Sequence, residues 1–206
     1  MKKISRLIKL DLPLVLASKS PRRRKLLTQI GLKFDIIPSS IDESKIKYKG
    51  KPADYAERLA LEKARHVASS LSKRSIVIGS DTIVVLDEKV LNKPKDEKDA
   101  ARMIRTLSGR THVVFTGIAI IDSGTGQTYS SFQKTEVTFR NLEDEEIEAY
   151  IETGSPMDKA GAYGIQDDFG AVFVSHVNGC YYNIVGLPLE MLYSGLKTFV
   201  SESKRN

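Results

Sequence analysis

The chain has 206 residues, 41% hydrophobic and 28% charged, which is ordinary for a globular protein large enough to bury its own core. Residues 1–33 contain ten Lys and Arg and one acidic residue, a net charge of +9. Because the whole chain carries +6, the remainder carries −3. This asymmetry favours a small polyanionic ligand near the N-terminus and argues against stable binding of a long nucleic acid.

The content of cysteine and histidine excludes several kinds of site. The single cysteine, Cys180, rules out an internal disulfide and a cysteine-rich zinc site, and favours a reducing compartment. The three histidines are scattered without the spacing of metal ligands, so each is expected to be packed or exposed. Lys9 and Asp11 interrupt the N-terminal apolar run, and no segment reaches the length of a membrane span. We therefore expect a cytoplasmic protein with no membrane partner.

Helical and strand patterns alternate along the chain, with hairpins among them, which predicts an α/β fold on a mixed sheet. Strands are predicted at 14–17, 34–37, 75–78, 82–86, 89–91, 111–121, 129–139 and 171–177, and helices at 21–30, 52–71, 96–107, 142–153 and 187–200. We expect one domain over residues 1–206, with a basic extension at 1–11 and a flexible tail at 201–206. Residues 45–51 are expected to be a loose connection.

The first predicted helix begins at a serine followed by a proline and three arginines. Ser20 is a good helix cap and Pro21 suits the first helical position. Arginines at this end oppose the helix dipole, so their presence indicates a bound polyanion, although a solvated basic turn is the alternative. A helix N-terminus preceded by hydroxyl side chains is typical of a phosphate site.

Asp81 interrupts the apolar, β-branched segment SIVIGSDTIVVL, where we expect a bend between two strands. A carboxylate there is costly to bury unless it holds a cation or moves a proton. The alternative is an aspartate that caps a turn. The basic groups elsewhere favour the functional interpretation.

Three further charged residues are candidates. Lys63 falls within the buried stripe of the helix at 52–71, where a lysine either serves a site or extends its ammonium to solvent. Lys93 ends a strand just before a proline and is placed to reach a ligand, or is an ordinary loop lysine. Glu43 follows a strand and is a candidate second carboxylate for a divalent cation, or a solvated loop acid.

The segment DKAGAYGIQ, residues 158–166, has two glycines that allow its backbone to approach a ligand closely. The amide of Gln166 both donates and accepts, which suits the imide edge of a uracil or thymine base. A second tight loop, NIVGLP at 183–188, precedes the last helix. Each loop alone is also compatible with an ordinary turn.

The common nucleotide and esterase motifs are absent from the chain. There is no GxxxxGK[ST], no GxGxxG between a strand and a helix, and no GxSxG. Because no histidine is placed to activate Ser18 or Ser20, these hydroxyls are better interpreted as hydrogen-bonding groups for phosphate.

Six segments occur in an order that resembles one protein family: LASKSPRRRKLL, ERLALEKA, GSDTIVVLDEKVLNKP, LSGRTHVVFTGIAI, DKAGAYGIQ and GCYYNIVGLPLE. From residue 14 to residue 196 the chain resembles the Maf family, nucleoside triphosphate pyrophosphatases of the house-cleaning kind. SPRR and GIQ make it similar to the branch that acts on dTTP and UTP. Relatives that act on 7-methyl-GTP replace the first arginine and have glutamate in place of the glutamine.

The resemblance implies a role for each candidate residue. It implies a general base at Asp81, base selection by Arg22, Thr82 and Gln166, phosphate contacts from Ser18, Ser20, Arg23, Lys63 and Lys93, and a divalent cation, Mg²⁺ or Mn²⁺, at Glu43 and Asp81. It also implies an elongated mixed sheet flanked by helices, as in the Maf and ITPase-like folds, with the active site in a cleft, and a homodimer. The chain departs from the family at Ser155, where many members have glutamate, and at Asp167 and Asp168, where glycine is usual.

The implied reaction is hydrolysis of dTTP, UTP or a modified pyrimidine nucleotide to the monophosphate and pyrophosphate. Two alternatives stay open at this point. One is the same reaction on 7-methyl-GTP or another non-standard nucleotide. The other is a non-catalytic binder of nucleotide or nucleic acid. The aromatic residues argue against this alternative, because they do not interleave with the basic ones as a stacking surface for single strands requires.

Overall fold

The computed structural model describes residues 4–166 and 168–203, which form two compact units. Unit 1 is drawn from residues 1–81, 116–133 and 186–206, and unit 2 from residues 82–115 and 134–185. The single-domain organisation stays a prediction. Asp167, the first three residues of the basic extension and the last three of the tail lie outside the described residues.

The strands of the described chain form one mixed sheet in the order β2-β1-β3-β5-β6-β7, with β4 paired to β3. β1 pairs in parallel with β2 and with β3, whereas the β3–β4 and β6–β7 pairs are antiparallel. The strands are β1 (Leu14–Leu16), β2 (Asp35–Ile36), β3 (Ile76–Leu86), β4 (Lys89–Leu91), β5 (Thr111–Asp122), β6 (Thr128–Phe139) and β7 (Val174–Asn178).

Helices connect and accompany these strands, which confirms the predicted α/β class. They are α1 (Ile4–Ile8), α2 (Pro21–Gln29), α3 (Pro52–Ser70), α4 (Glu97–Leu107), α5 (Asp144–Glu152), α6 (Asp168–Phe173), α7 (Tyr181–Val185) and α8 (Leu189–Ser203). The predicted hairpin at Asp87 and Glu88 is confirmed, because both residues have positive φ angles, 47° and 63°, as a two-residue turn between twisted strands requires.

In unit 1, α3 packs against the sheet through small residues. Ala56, Ala60 and Ala64 recur every four residues along one face of α3 and are fully buried. Opposite them stand Gly79 in β3 and Gly117 in β5. A Cβ atom at Gly79 would lie 2.2 Å from the Ala60 carbonyl oxygen, and one at Gly117 would lie 2.2 Å from the Ala56 carbonyl oxygen. The helix backbone therefore lies directly on the sheet, at a distance that only glycine permits.

In unit 2, the core is built around the ring of Phe139. Its centroid lies 4.8 Å from that of Tyr163, 5.1 Å from that of His112 and 5.9 Å from that of Phe173, with the first two rings edge-on. Tyr150 packs edge-on against Phe173 at 5.2 Å. Edge-to-face contacts of this kind add to the stabilisation that burial of the rings provides.

The expected bend at Asp81 is wrong, since β3 runs without interruption from Ile76 to Leu86. Polar residues remain in this buried strand because each has a partner. Ser80 donates to the Gly186 carbonyl oxygen at 3.1 Å, and Asp81 pairs with Lys63. A satisfied polar group does not have to leave a strand for solvent.

The prediction of a strand over 171–177 is wrong in its first half. Residues 168–173 are helical, and the strand begins at Val174. The i, i+4 spacing of Phe169 and Phe173 places both rings near Tyr150, at 6.1 and 5.2 Å, and this spacing was the missed signal. The flexible tail predicted at 201–206 is wrong in its first half, because α8 continues to Ser203. The basic extension contains the short helix α1.

Candidate active site

The N-terminus of α2 is organised by two serines, as the sequence predicted for Ser20. The Ser20 hydroxyl accepts a hydrogen bond from the Arg23 backbone N–H at 3.4 Å, and Pro21 occupies the first turn. Ser18, which is buried, accepts from the Ser20 N–H and from Nη1 of Arg23, both at 3.2 Å. The two hydroxyls and the arginine thus form one hydrogen-bonded group at the positive end of the helix.

The side chain of Arg23 is fixed by a residue far along the chain. Its Nε donates to the Gly186 carbonyl oxygen at 2.9 Å, and the same oxygen accepts from the Ser80 hydroxyl. All three residues belong to unit 1. The tight loop predicted at 183–188 is wrong in its first half, because residues 183–185 belong to α7. Gly186 follows this helix, and nothing in the sequence predicts that its carbonyl oxygen holds an arginine.

A second group joins Lys63, Asp81 and Glu43. The Lys63 ammonium contacts Oδ1 of Asp81 and lies 2.8 Å from Oε1 of Glu43. The side chains of Lys63 and Asp81 are 12% and 11% exposed, whereas that of Glu43 is 54% exposed. Lys63 therefore does not extend its ammonium to solvent, and the two carboxylates meet on one cationic nitrogen.

The electric field of this group reaches Arg23 and one tyrosine. Burial lowers the pKa of Arg23 from its ordinary value, and the negative charges of Asp81 and Glu43 act in the opposite direction. Arg22, in the same helical turn, adds to the lowering. Burial raises the pKa of Tyr55, and the charges of Asp81 and Glu43 raise it further. Arg23 and Asp81 are thus near enough to interact electrostatically.

Tyr55 was missed by the sequence analysis. It lies on α3 eight residues before Lys63, so that both side chains fall on the same face of the helix. Its ring packs edge-on against Tyr48 at 5.5 Å. A tyrosine on the face that carries a buried lysine was the available signal.

The remaining candidates, Thr82, Lys93 and Gln166, belong to unit 2. Thr82 is half-buried, whereas Lys93 and Gln166 are exposed. The carbonyl oxygen of Asn92, the residue before Lys93, accepts from the Gly161 N–H at 3.2 Å, so the Lys93 segment is bonded to the loop that ends at Gln166. Participation of these three side chains in the site stays a prediction. The departure at Asp167 lies outside the described residues.

Among the described residues, the carboxylates of Glu43 and Asp81 are the candidates for holding a metal ion. Within residues 4–166 and 168–203, no three His, Cys, Asp or Glu side chains are grouped so that they could hold an ion. His112 is buried among aromatic rings, and His66 and His176 are exposed. Glu43 and Asp81 do converge on one cation, the Lys63 ammonium. Their oxygen atoms suit Mg²⁺, which proteins commonly bind through one or two carboxylates together with substrate phosphates.

Comparison with known proteins matches the chain to one family model and to individual relatives. The model of the family described as Maf-like protein matches residues 13–199. A dTTP/UTP pyrophosphatase of Moorella thermoacetica is 50% identical over 90% of this chain and 94% of its own. That of Clostridium beijerinckii is 45% identical over 89% of this chain and 97% of its own. A solved HAM1 protein of Coxiella burnetii aligns with 91% of this chain and 99% of its own, at 14% identity and a TM-score of 0.49.

Among the helices that the structure describes, none combines the length and the apolar composition needed to cross a bilayer. The family match spans most of the chain and includes the α2 arginines, Lys63 and Asp81. The chain belongs to the Maf-like proteins.

Proposed function

We propose that this chain hydrolyses dTTP and UTP between the α- and β-phosphorus atoms, releasing the nucleoside monophosphate and pyrophosphate. The observation that carries the proposal is the buried Asp81 carboxylate, held by Lys63 and lying in the electric field of Arg23. Fixed cations suit an anionic substrate, and a carboxylate among them can accept a proton from the water molecule that attacks this substrate. Relatives named dTTP/UTP pyrophosphatase, at 45% and 50% identity, support the choice of substrate.

In the proposed step, a water molecule attacks the α-phosphorus while Asp81 accepts one of its protons. The bond between the α-phosphorus and the bridging oxygen breaks, and pyrophosphate departs with the bonding electron pair. Asp81 is suited to this role because its side chain is paired with the Lys63 ammonium and because it lies within the buried, continuous strand β3. Fixing the base before substrate arrives avoids reorganisation during the reaction.

The cationic side chains would neutralise the charge that grows on the leaving phosphates. Arg23 is held by the Gly186 carbonyl oxygen and by Ser18, so its guanidinium is already oriented. Lys63 supplies a second charge, and Lys93 is proposed as a third. Ser18 and Ser20 are proposed to hydrogen-bond phosphate oxygens. Pre-oriented charges of this kind are often the largest contribution to phosphoryl transfer.

Selection of the base is proposed to rest on Arg22, Thr82 and Gln166. The amide of Gln166 can donate to a carbonyl oxygen of uracil or thymine and accept from N3–H. The planar guanidinium of Arg22 presents N–H donors in a fixed fork, and these would contact an acceptor of the base or sugar. Cytosine presents a donor and an acceptor in exchanged positions, so a correctly placed amide would discriminate against it.

Glu43 and Asp81 would hold a divalent cation, Mg²⁺ or Mn²⁺, together with oxygens of the substrate. The fit rests on their convergence on the Lys63 ammonium. When bound, such a cation lowers the negative charge of the phosphates and so eases departure of pyrophosphate. The protein is proposed to act on free nucleotide in the cytoplasm, as a homodimer.

The test is release of pyrophosphate from a panel of triphosphates, measured with and without Mg²⁺ or Mn²⁺. The panel contains dTTP, UTP, CTP, dCTP, GTP and 7-methyl-GTP. The proposal expects dTTP and UTP to have the highest kcat/KM and expects turnover to require the cation. Preferential turnover of 7-methyl-GTP would overturn the substrate assignment. Salt-sensitive binding of nucleotide without any product would overturn the enzymatic function.

A further inference from the structure

Residues 160–166, AGAYGIQ, which we term the glycine loop, are held at several points within unit 2. The Gly161 N–H donates to the Asn92 carbonyl oxygen at 3.2 Å, and the Ala162 N–H donates to that of Lys159 at 3.1 Å. Ala162 is fully buried with a φ of 61°, a left-handed conformation that alanine rarely adopts. A backbone held in such a conformation at the edge of a binding site commonly reflects a functional constraint.

The phenol of Tyr163 provides the only side-chain hydrogen bond from the centre of this loop among the described residues. Its hydroxyl lies 2.7 Å from Nε2 of His112, a residue of β5 that is 1% exposed. The two rings meet edge-on at 5.2 Å, and Phe139 packs edge-on against both. The pair is therefore a polar contact inside an apolar, aromatic environment.

Counting donors and acceptors assigns the direction of this bond. Burial lowers the pKa of His112 to about 4 and raises that of Tyr163, so imidazole and phenol are both neutral near pH 7. Nδ1 of His112 has no partner in the described structure. If Tyr163 donates to Nε2, one buried donor is left unpaired, whereas the opposite direction leaves a donor and an acceptor unpaired. The Tyr163 hydroxyl is accordingly the donor.

We propose that the His112–Tyr163 hydrogen bond positions the glycine loop so that Gln166 meets the nucleobase, and that both residues are positioning residues for base selection. This inference rests on the proposed function, in particular on the role of Gln166. A bond that leaves a buried polar atom unpaired is costly to the fold, which favours a purpose other than stability for it.

The backbone between Tyr163 and Gln166 transmits the position of the phenol. A Cβ atom at Gly170 would lie 2.1 Å from the Gly164 carbonyl oxygen, so α6 lies directly against the loop one residue after Tyr163. Ile165 is buried, and Gln166 is the first exposed residue. Because the loop is held on both sides up to Ile165, its contacts with His112 and α6 determine the direction in which Gln166 leaves it.

The first experiment compares Tyr163→Phe with wild type on UTP and CTP, which differ at the pyrimidine edge. We expect the ratio of the two kcat/KM values to fall by about tenfold, mainly through a higher KM for UTP. Tyr181→Phe, at an exposed tyrosine of α7, is the matched control and should leave the ratio unchanged. An unchanged ratio in Tyr163→Phe would overturn the proposal, because a purely structural role would lower both rates in proportion.

A second variant separates positioning from stability. His112→Leu/Tyr163→Phe replaces both polar partners by apolar side chains, so it should fold with little loss of melting temperature. It should nonetheless lose discrimination as Tyr163→Phe does. A double variant with wild-type discrimination would contradict the proposal even if Tyr163→Phe alone proved too unstable to assay.

Gln166→Glu distinguishes failure of the proposal from failure of the proposed function. If Gln166→Glu leaves the UTP to CTP ratio unchanged, Gln166 has no role in base selection. If it changes the ratio but Tyr163→Phe does not, only the positioning role fails. When Tyr163 acts through Gln166, the effects of Tyr163→Phe and Gln166→Glu on the ratio should be less than additive in the combined variant.

Discussion

The ammonium of Lys63 contacts a carboxylate oxygen of Asp81, joining a helix and a strand that Gly79 allows to lie in direct backbone contact. Each of the two side chains would be costly to bury alone, and together they place a base and a cation at a fixed separation. Predictions about catalysis and about stability both follow from this pair.

Asp81→Asn should remove the proton acceptor and keep the shape of the side chain. We expect kcat for UTP to fall by about 1,000-fold, the range of general-base catalysis. Affinity for an α,β-imido analogue of UTP, measured by calorimetry without added divalent cation, should be retained because a negative charge beside the triphosphate has been removed. Asp54→Asn, at an exposed acid of the same unit, is the control. A kcat near that of wild type would exclude Asp81 as the base.

Lys63→Met should leave the Asp81 and Glu43 carboxylates facing each other without their common counter-ion. Because Lys63 and Asp81 are almost buried, the free energy of unfolding should fall by about 3 kcal/mol in urea titrations. Arg65→Met breaks an exposed pair with Glu62 on the same helix, and it should change the free energy of unfolding by less than about 1 kcal/mol. Equal stability of the two variants would show that the Lys63 pair contributes little to the fold.

Acid should destabilise the protein through His112. Its pKa is about 4 in the folded protein and 6.5 ordinarily, so between these values the unfolded chain binds a proton that the folded chain does not. This difference in proton binding has almost no effect on the free energy of unfolding above pH 7, and it lowers that free energy by about 2 kcal/mol at pH 5. In urea unfolding at pH 7.5 and pH 5, wild type should lose this much more stability than His112→Leu/Tyr163→Phe. Parallel losses would place the titration elsewhere.

Gly79→Ala should force β3 and α3 apart. The added Cβ would meet the Ala60 carbonyl oxygen at 2.2 Å, and overpacking of this kind costs about 1–3 kcal/mol. Activity should fall as well, because the displacement separates Lys63 from Asp81. Gly126→Ala is the matched control: its φ of 75° strains an alanine, but no atom lies within 4 Å of the new Cβ. It should lose stability and keep kcat/KM, measured well below its melting temperature.

The features predicted correctly from sequence depend on local chemistry. The Ser20–Pro21 helix start needs residues within three positions of each other, and the Asp87–Glu88 hairpin needs two residues between apolar strands. Lys63 was recognisable because a charged residue interrupted an apolar stripe. Such signals are read within one or two helical turns, without knowledge of the packing.

The features that were missed depend on partners distant in sequence. Arg23 is held by a backbone oxygen of Gly186, 163 residues away. Every residue has a backbone carbonyl group, so the residue types do not indicate which one accepts this bond. His112 and Tyr163 are 51 residues apart, and neither residue type predicts the other. The bend expected at Asp81 failed for the same reason, since the partners that satisfy Ser80 and Asp81 come from other elements.

The seat of α3 on Gly79 and Gly117 has an evolutionary consequence. Where a helix packs through interdigitating side chains, its position shifts when those side chains change during evolution. The main chain of α3 instead lies against the main chain of β3 and β5. The neighbouring hydrophobic residues can therefore vary in size without changing the distance between Lys63 and Asp81. Substitutions at those two glycines, by contrast, should be tolerated only if the helix itself shifts, because the atoms nearest to an added Cβ are main-chain atoms of α3.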